Sequence, residues 1–165
     1  MKDGRKTANM NRRILVPLDG SQVAEQVLLH LQSLVECQGA EIHLLSVAPV
    51  IDNVAASVML YPLYVYREQL ADEDAERRRI ETELTSYLQG ISRDLEQAGA
   101  SVRCVVRFGS PADEILSYAS EHKIGLIAMC THGRSGLARW AYGSVADRVL
   151  RASSCPVLLV RAVIK

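Results

Sequence analysis

Neither sign of charge predominates in this chain. Nineteen lysines and arginines stand against 19 aspartates and glutamates, so the formal net charge at pH 7 is zero. No global field draws it to nucleic acid or to an anionic membrane. Long apolar runs are missing as well: the longest are strand-sized, far short of the ~20 residues that a membrane-spanning helix requires. The opening residues, Met1 to Asn11, are polar and hold no apolar centre of a secretory signal. A flexible tail (1–11) on a cytoplasmic protein is the expectation. Cys37, Cys104, Cys130 and Cys155 are scattered, with no Cys-x-x-Cys pair, and His30, His43, His122 and His132 form no ligand cluster. That spacing argues against both zinc and a redox dithiol. A Gly-x4-Gly-Lys-Ser/Thr phosphate loop is absent too. So are the acidic pair and the late lysine of a receiver domain, of which only Asp19 is present.

What the chain does have is five apolar runs: Ile14–Leu18, Ile42–Val47, Val102–Val106, Leu126–Met129 and Val157–Val160. Most are near-continuous rather than alternating, as in strands covered on both faces. Helical stripes lie between them. Val23, Val27, Leu28, Leu31, Leu34 and Val35 form one, stopped at Gly39; Ile80, Leu84, Leu88, Ile91, Leu95 and Ala98 form another, stopped at Gly99. Glu73/Arg77 and Asp74/Arg78 are spaced for ion pairs on the first turns of the second. Arg77-Arg78-Arg79 has enough acidic neighbours to be a solvated face. Ser110-Pro111-Ala112-Asp113 is a helix start with proline at the first position and a capping box, and a last helix runs from about Ser144 to Arg151. The segment from Pro49 to about Gln69, with Tyr61, Tyr64 and Tyr66, is the least regular; it packs on the neighbouring helix or serves as a lid.

At 165 residues the chain makes one domain, residues 12–165. The order βαβαβαβαβ specifies an α/β fold: a doubly wound five-stranded parallel sheet with right-handed crossovers and helices on both faces. The expected strand order is 3-2-1-4-5. Ligands of such sheets bind at the carboxyl ends of the strands, at the switch point. Asp19-Gly20-Ser21, Val47-Ala48-Pro49 and the loop after Met129 fall there.

That last loop is the richest stretch. Cys130-Thr131-His132-Gly133-Arg134-Ser135-Gly136 leads to Gly143-Ser144-Val145, which opens an amphipathic helix. Glycines let backbone approach a phosphate, and a helix N-terminus favours an anion. The competing reading is an ordinary strand-to-helix connection.

The chain resembles the universal stress protein family from Arg12 onward. The resemblance rests on Ile14-Leu15-Val16-Pro17-Leu18-Asp19-Gly20-Ser21, on Gly109-Ser110-Pro111-Ala112, and on Met129 to Val160 with its Thr-His-Gly-Arg, Gly-Ser-Val-Ala and Cys-Pro-Val runs. ATP-binding members carry Gly-x2-Gly-x9-Gly-Ser/Thr. Gly133, Gly143 and Ser144 match it, and Cys130 stands in place of the first glycine. The resemblance implies ATP (or AMP, ADP or cyclic AMP) with Mg²⁺ held through the phosphates. It places Pro17 and Val47 beside the adenine, Asp19 at the nucleoside, and Ser144 at a phosphate. Met129, Cys130, His132, Gly133, Arg134, Gly143 and Val145 complete the expected site. It further implies a homodimer through the last strand, with signalling through protein partners. Two alternatives stay open at this point, a nucleotide-free dimeric module and a slow ATPase. Hydrolysis would require a residue to orient water, for which only His132 and Arg134 are candidates. Asp19 has a structural alternative as a helix cap or turn bond, and Ser144 as a helix cap.

Overall fold

The computed structural model describes residues 13–38, 40–50, 63–131 and 143–162, giving backbone alone for 32–38 and 63–72. In chain order these form β1 (Arg13–Pro17), α1 (Gln22–Gln38), β2 (Glu41–Ala48), α2 (Leu63–Gln97), β3 (Ser101–Phe108), α3 (Pro111–Glu121), β4 (Leu126–Thr131), α4 (Ser144–Ala152) and β5 (Val157–Arg161). Each apolar run of the sequence is a strand. All pairings are parallel, and the sheet order is β3-β2-β1-β4-β5, as expected. Leu15 and Val16 of the central β1 are wholly buried, each on a different face.

The two faces carry separate apolar layers. On one, Val27 and Leu31 of α1 and Leu88 and Leu95 of α2 cover Val16, Ile42, Leu44 and Ala128. On the other, Ile115 and Tyr118 of α3 and Val149 of α4 cover Leu15, Leu45, Ile127 and Met129. Gly99 ends α2 as its position predicts: at φ +91° it turns the chain back. Ala100 N–H then reaches Leu95 C=O at 3.0 Å and Gly99 N–H reaches Glu96 C=O at 2.9 Å, the two bonds of a Schellman motif. Ala98 falls past the helix and is exposed; Ala100 takes the core position expected of it.

Several expectations are corrected. The helix α2 begins at Leu63, well inside the segment expected to be irregular; Pro62 is the last breaker before Gly90, so nothing interrupts it. Tyr61 and the stop at Gly39 lie outside the described residues. Arg77 lies 4.3 Å over the Phe108 ring instead of pairing with Glu73, and Arg79 pairs with Glu76 and Glu83. The capping box at Ser110 does not form: Ser110 is the N-cap residue but makes no side-chain cap bond, and Asp113 turns its carboxylate to Arg148 on α4.

The amino ends of the strands carry a polar cluster the sequence did not announce. His43, 2% exposed, meets Tyr118 Oη through Nδ1 at 2.7 Å. Its Nε2 lies 3.1 Å from Glu41 Oε1 but out of line for a hydrogen bond. Tyr118 stacks on His122 with ring centres 4.1 Å apart, and Arg13 joins Glu41 to the His122 carbonyl, each bond 3.0 Å.

Candidate functional site

The switch point between β1 and β4 opens a cleft at the carboxyl ends of the strands, of about 310 Å³ and so at the lower end of the roughly 300–1,000 Å³ typical of ligand sites. Pro17, Leu18 and Asp19 line it after β1, Val23 and Ala24 from α1, Leu45 and Val47 from β2, Pro111 and Ile115 from α3, Met129 to Thr131 from β4, and Gly143 to Ala146 from α4. The structure thus brings Pro17, Asp19, Val47, Met129, Cys130, Gly143, Ser144 and Val145 together on one cleft. His132, Gly133 and Arg134 lie outside the described residues. Thr131, named in the loop motif but left out of the expected site, also lines the cleft, and sequence reasoning missed Ile115, which looks like an ordinary core position until α3 is docked.

The β1–α1 loop is held from several sides. Leu18 continues the ladder, its N–H donating to the Leu45 carbonyl at 2.9 Å, and the buried Ser46 hydroxyl donates to the Leu18 carbonyl at 2.8 Å. Gly20, at φ +82°, makes the turn that a side chain would strain. Asp19 Oδ1 accepts the Ser21 N–H at 3.0 Å, and Ser21 Oγ accepts the Ala24 N–H at 3.1 Å. Ser21 therefore caps α1, and Asp19 bonds the turn. Among the described residues the other Asp19 oxygen takes no partner.

Across the cleft, α4 opens without a side-chain cap. Gly143 is its N-cap, with Asp147 N–H bonded to the Gly143 carbonyl at 2.9 Å, and Ser144 is the first helical residue rather than the cap. The first N–H groups of a helix have no partner within it, so the amides of Ser144 to Ala146 stand at the cleft with the positive end of the helix dipole. Gly143 sits at φ −55°, and a Cβ there would meet nothing within 4 Å. The backbone does not demand glycine at that position. Arg148 of α4 pairs with Asp113 at the start of α3 on the protein surface.

Cys130 belongs to the cleft wall and to the core. It packs against the α1-side layer with Val16, Val27 and Ala128. Burial pushes its thiol pKa up, and the Val27 N–H opposes that only in part. The group is a neutral thiol turned to α1, not an activated nucleophile. Among the described residues no cluster of three or more His, Cys, Asp or Glu could hold a metal, and no helix is long and apolar enough to cross a membrane.

A model of the universal stress protein family matches residues 10–161. Universal stress protein MJ0531 of Methanocaldococcus jannaschii is 30% identical over 160 residues, covering 95% of this chain and 86% of its own length. Universal stress protein YxiE of Bacillus subtilis is 31% identical over 152 residues, covering 92% of this chain and 100% of its own. Among solved structures, that of M. jannaschii MJ0577 superposes with a TM-score of 0.73 at 26% identity, over 94% of this chain and 99% of that one. A universal stress protein solved in complex with cAMP has the same fold, with a TM-score of 0.57 at 19% identity over 93% and 98% of the two chains. This chain belongs to the universal stress protein family.

Proposed function

We propose that this protein is a cytoplasmic stress-response regulator that binds an adenine nucleotide, ATP foremost, at the carboxyl edge of its sheet. The observation that carries the reading is the uncapped N-terminus of α4 facing the Asp19 loop across a single cleft. In this reading Pro17 and Val47 flank the adenine, and Met129 floors the site. Asp19 uses its free oxygen on the nucleoside. The amides of Ser144 and Val145 and the Ser144 hydroxyl hold a phosphate, and Gly143 leaves the space for it to come close. His132, Gly133 and Arg134 complete the phosphate loop. With Asp19 the one carboxylate among the described lining residues, Mg²⁺ is held through the phosphates and not by a protein cage. AMP, ADP or cyclic AMP would use the same nucleoside contacts, in keeping with the relative of the same fold solved with cAMP.

Calorimetry with ATP and Mg²⁺ tests this. We expect a micromolar dissociation constant, about −8 kcal/mol. Gly143→Val should abolish binding with the circular dichroism spectrum unchanged and only a small drop in Tm, because valine is a poorer N-cap than glycine but the added side chain meets only open space. Unchanged affinity in that variant would refute the phosphate assignment.

A second reading, a nucleotide-free dimeric module, rests on Cys130, which stands at the first glycine position of the ATP-binding pattern; its thiol packs into the α1 layer, which leaves the first reading ahead. Mass spectrometry of ligand released from freshly purified protein separates the two readings, since a co-purified adenine nucleotide excludes the second.

A further inference from the structure

Tyr87 stands on α2, 62 residues along the chain from Glu25, yet its hydroxyl donates to Glu25 Oε1 at 2.9 Å. Glu25 lies on the first turn of α1, one residue beyond the Ala24 that Ser21 caps. The ring packs half-buried against the α1-side core layer. Burial and Glu25 raise its pKa, with the Asp19 carboxylate adding to the rise and the Gly20 N–H opposing it. One phenol thus ties α2 to the helix start that follows the β1–α1 loop.

We propose that Tyr87 is a positioning residue for the cleft: by tying α2 to Glu25 on the first turn of α1 it holds the β1–α1 loop in the conformation that presents Asp19. Tyr87 does not itself line the cleft. Asp19 has one oxygen spent on the Ser21 N–H, so only its other oxygen is left for a ligand, and the direction of that oxygen depends on how the Gly20 turn is set. Tyr87 bears on it from outside the loop, through Glu25, whose N–H holds the Ser21 carbonyl at 3.2 Å. The effect on affinity rests on the nucleotide reading above; the tie between Tyr87 and the loop does not.

Two measurements test it, on Tyr87→Phe and, as an independent break of the same bond, Glu25→Ala. In the first, amide hydrogen exchange is followed by NMR on the free protein. Exchange at Ser21 and Ala24, whose amides are bonded within the loop and its cap, should quicken in both variants while the amides of β1 and β4 hold their protection. Unchanged exchange at Ser21 and Ala24 would overturn the proposal whether or not a nucleotide binds. In the second, ATP affinity is measured by calorimetry in wild type, Tyr87→Phe, Asp19→Ala and the double variant. We expect Tyr87→Phe to weaken ATP about fivefold, the scale of one ordinary hydrogen bond, and to have no further effect once Asp19 is alanine. Equal weakening in both backgrounds would make Tyr87 merely structural and also overturn the proposal. If wild type binds no adenine nucleotide, the functional reading fails, and the exchange measurement still decides the role of Tyr87.

Discussion

Replacing Cys130 by glycine separates a gate from a core residue. Side chains of β4 alternate: Ile127 and Met129 enter the α3–α4 layer, whereas Ala128 and Cys130 enter the α1–α2 layer. The thiol is therefore directed beneath α1, and the cleft meets mainly the flank of the residue. Glycine removes two half-buried heavy atoms, about 1 kcal/mol of apolar contact at ~0.8 kcal/mol per buried methylene. It adds roughly 0.5–1 kcal/mol of backbone entropy in a strand interior. A total near 2 kcal/mol lowers Tm by about 4–8 °C in a chain of this size. ATP affinity should stay within about twofold of wild type, less than 0.5 kcal/mol. Cys130→Val should likewise lose about 1 kcal/mol of stability by overfilling the layer, again with flat affinity. Calorimetry for binding and scanning calorimetry for Tm report the two quantities separately. If Cys130→Gly bound ATP tenfold more tightly at an unchanged Tm, the side chain would be an obstacle in the cleft and this reasoning would be wrong.

Lys123, at φ +51°, ends α3 in a left-handed conformation that is costly for a side chain. Lys123→Gly should gain about 0.5–1 kcal/mol net of its own unfolded-state entropy, visible as a higher urea midpoint; a loss would show that the lysine side chain contributes more than its strain costs. Burial holds the His43 pKa below its ordinary 6.5 against the pull of Glu41, with Arg103 and His122 facing the same ring and adding to the lowering. The unfolded chain thus takes up the proton first, so stability is full above about pH 6.5 and declines as pH falls from there toward the folded pKa. Denaturation midpoints from pH 7.5 to 5 should fall in wild type and fall less in His43→Asn; a flat wild-type profile would contradict the assignment. The edge strand β5 has only β4 as a neighbour in the sheet, and a bare apolar edge invites pairing with another chain. Light scattering should show a homodimer formed through it, and a monomer at every workable concentration would end the idea.

The strands were legible because a buried parallel strand needs apolar residues on both faces, and Ile14 to Leu18 or Leu126 to Met129 can be little else. Gly99 was legible for a similar reason, since its left-handed turn is a one-residue signal. Lys123 makes the same 6→1 and 5→2 turn bonds at the end of α3, with Ile124 N–H to Ala119 C=O at 2.9 Å and Lys123 N–H to Ser120 C=O at 3.3 Å, but no glycine announces it. The first turns of α2 were illegible because clustered tyrosines beside Pro62 have the composition of a loop, and no regular apolar stripe begins before Ile80. At the cleft, Pro17, Asp19 and Val47 could be named because strand ends are visible in the pattern. Tyr87 could not, since its tie to Glu25 depends on how two helices cross over the sheet.

The sheet separates two apolar layers that share no side chains, one under α1 and α2 and the other under α3 and α4. Opening of one layer's helices need not carry the other's with it. The cleft is the place where Ala24 of one layer and Ile115 and Ala146 of the other border the same space. Whatever fills it acts as a rivet through the edge of a laminate. Loading the cleft should therefore merge two exchange transitions into one, and the ligand would report itself as cooperativity before it reports itself as a shift in Tm.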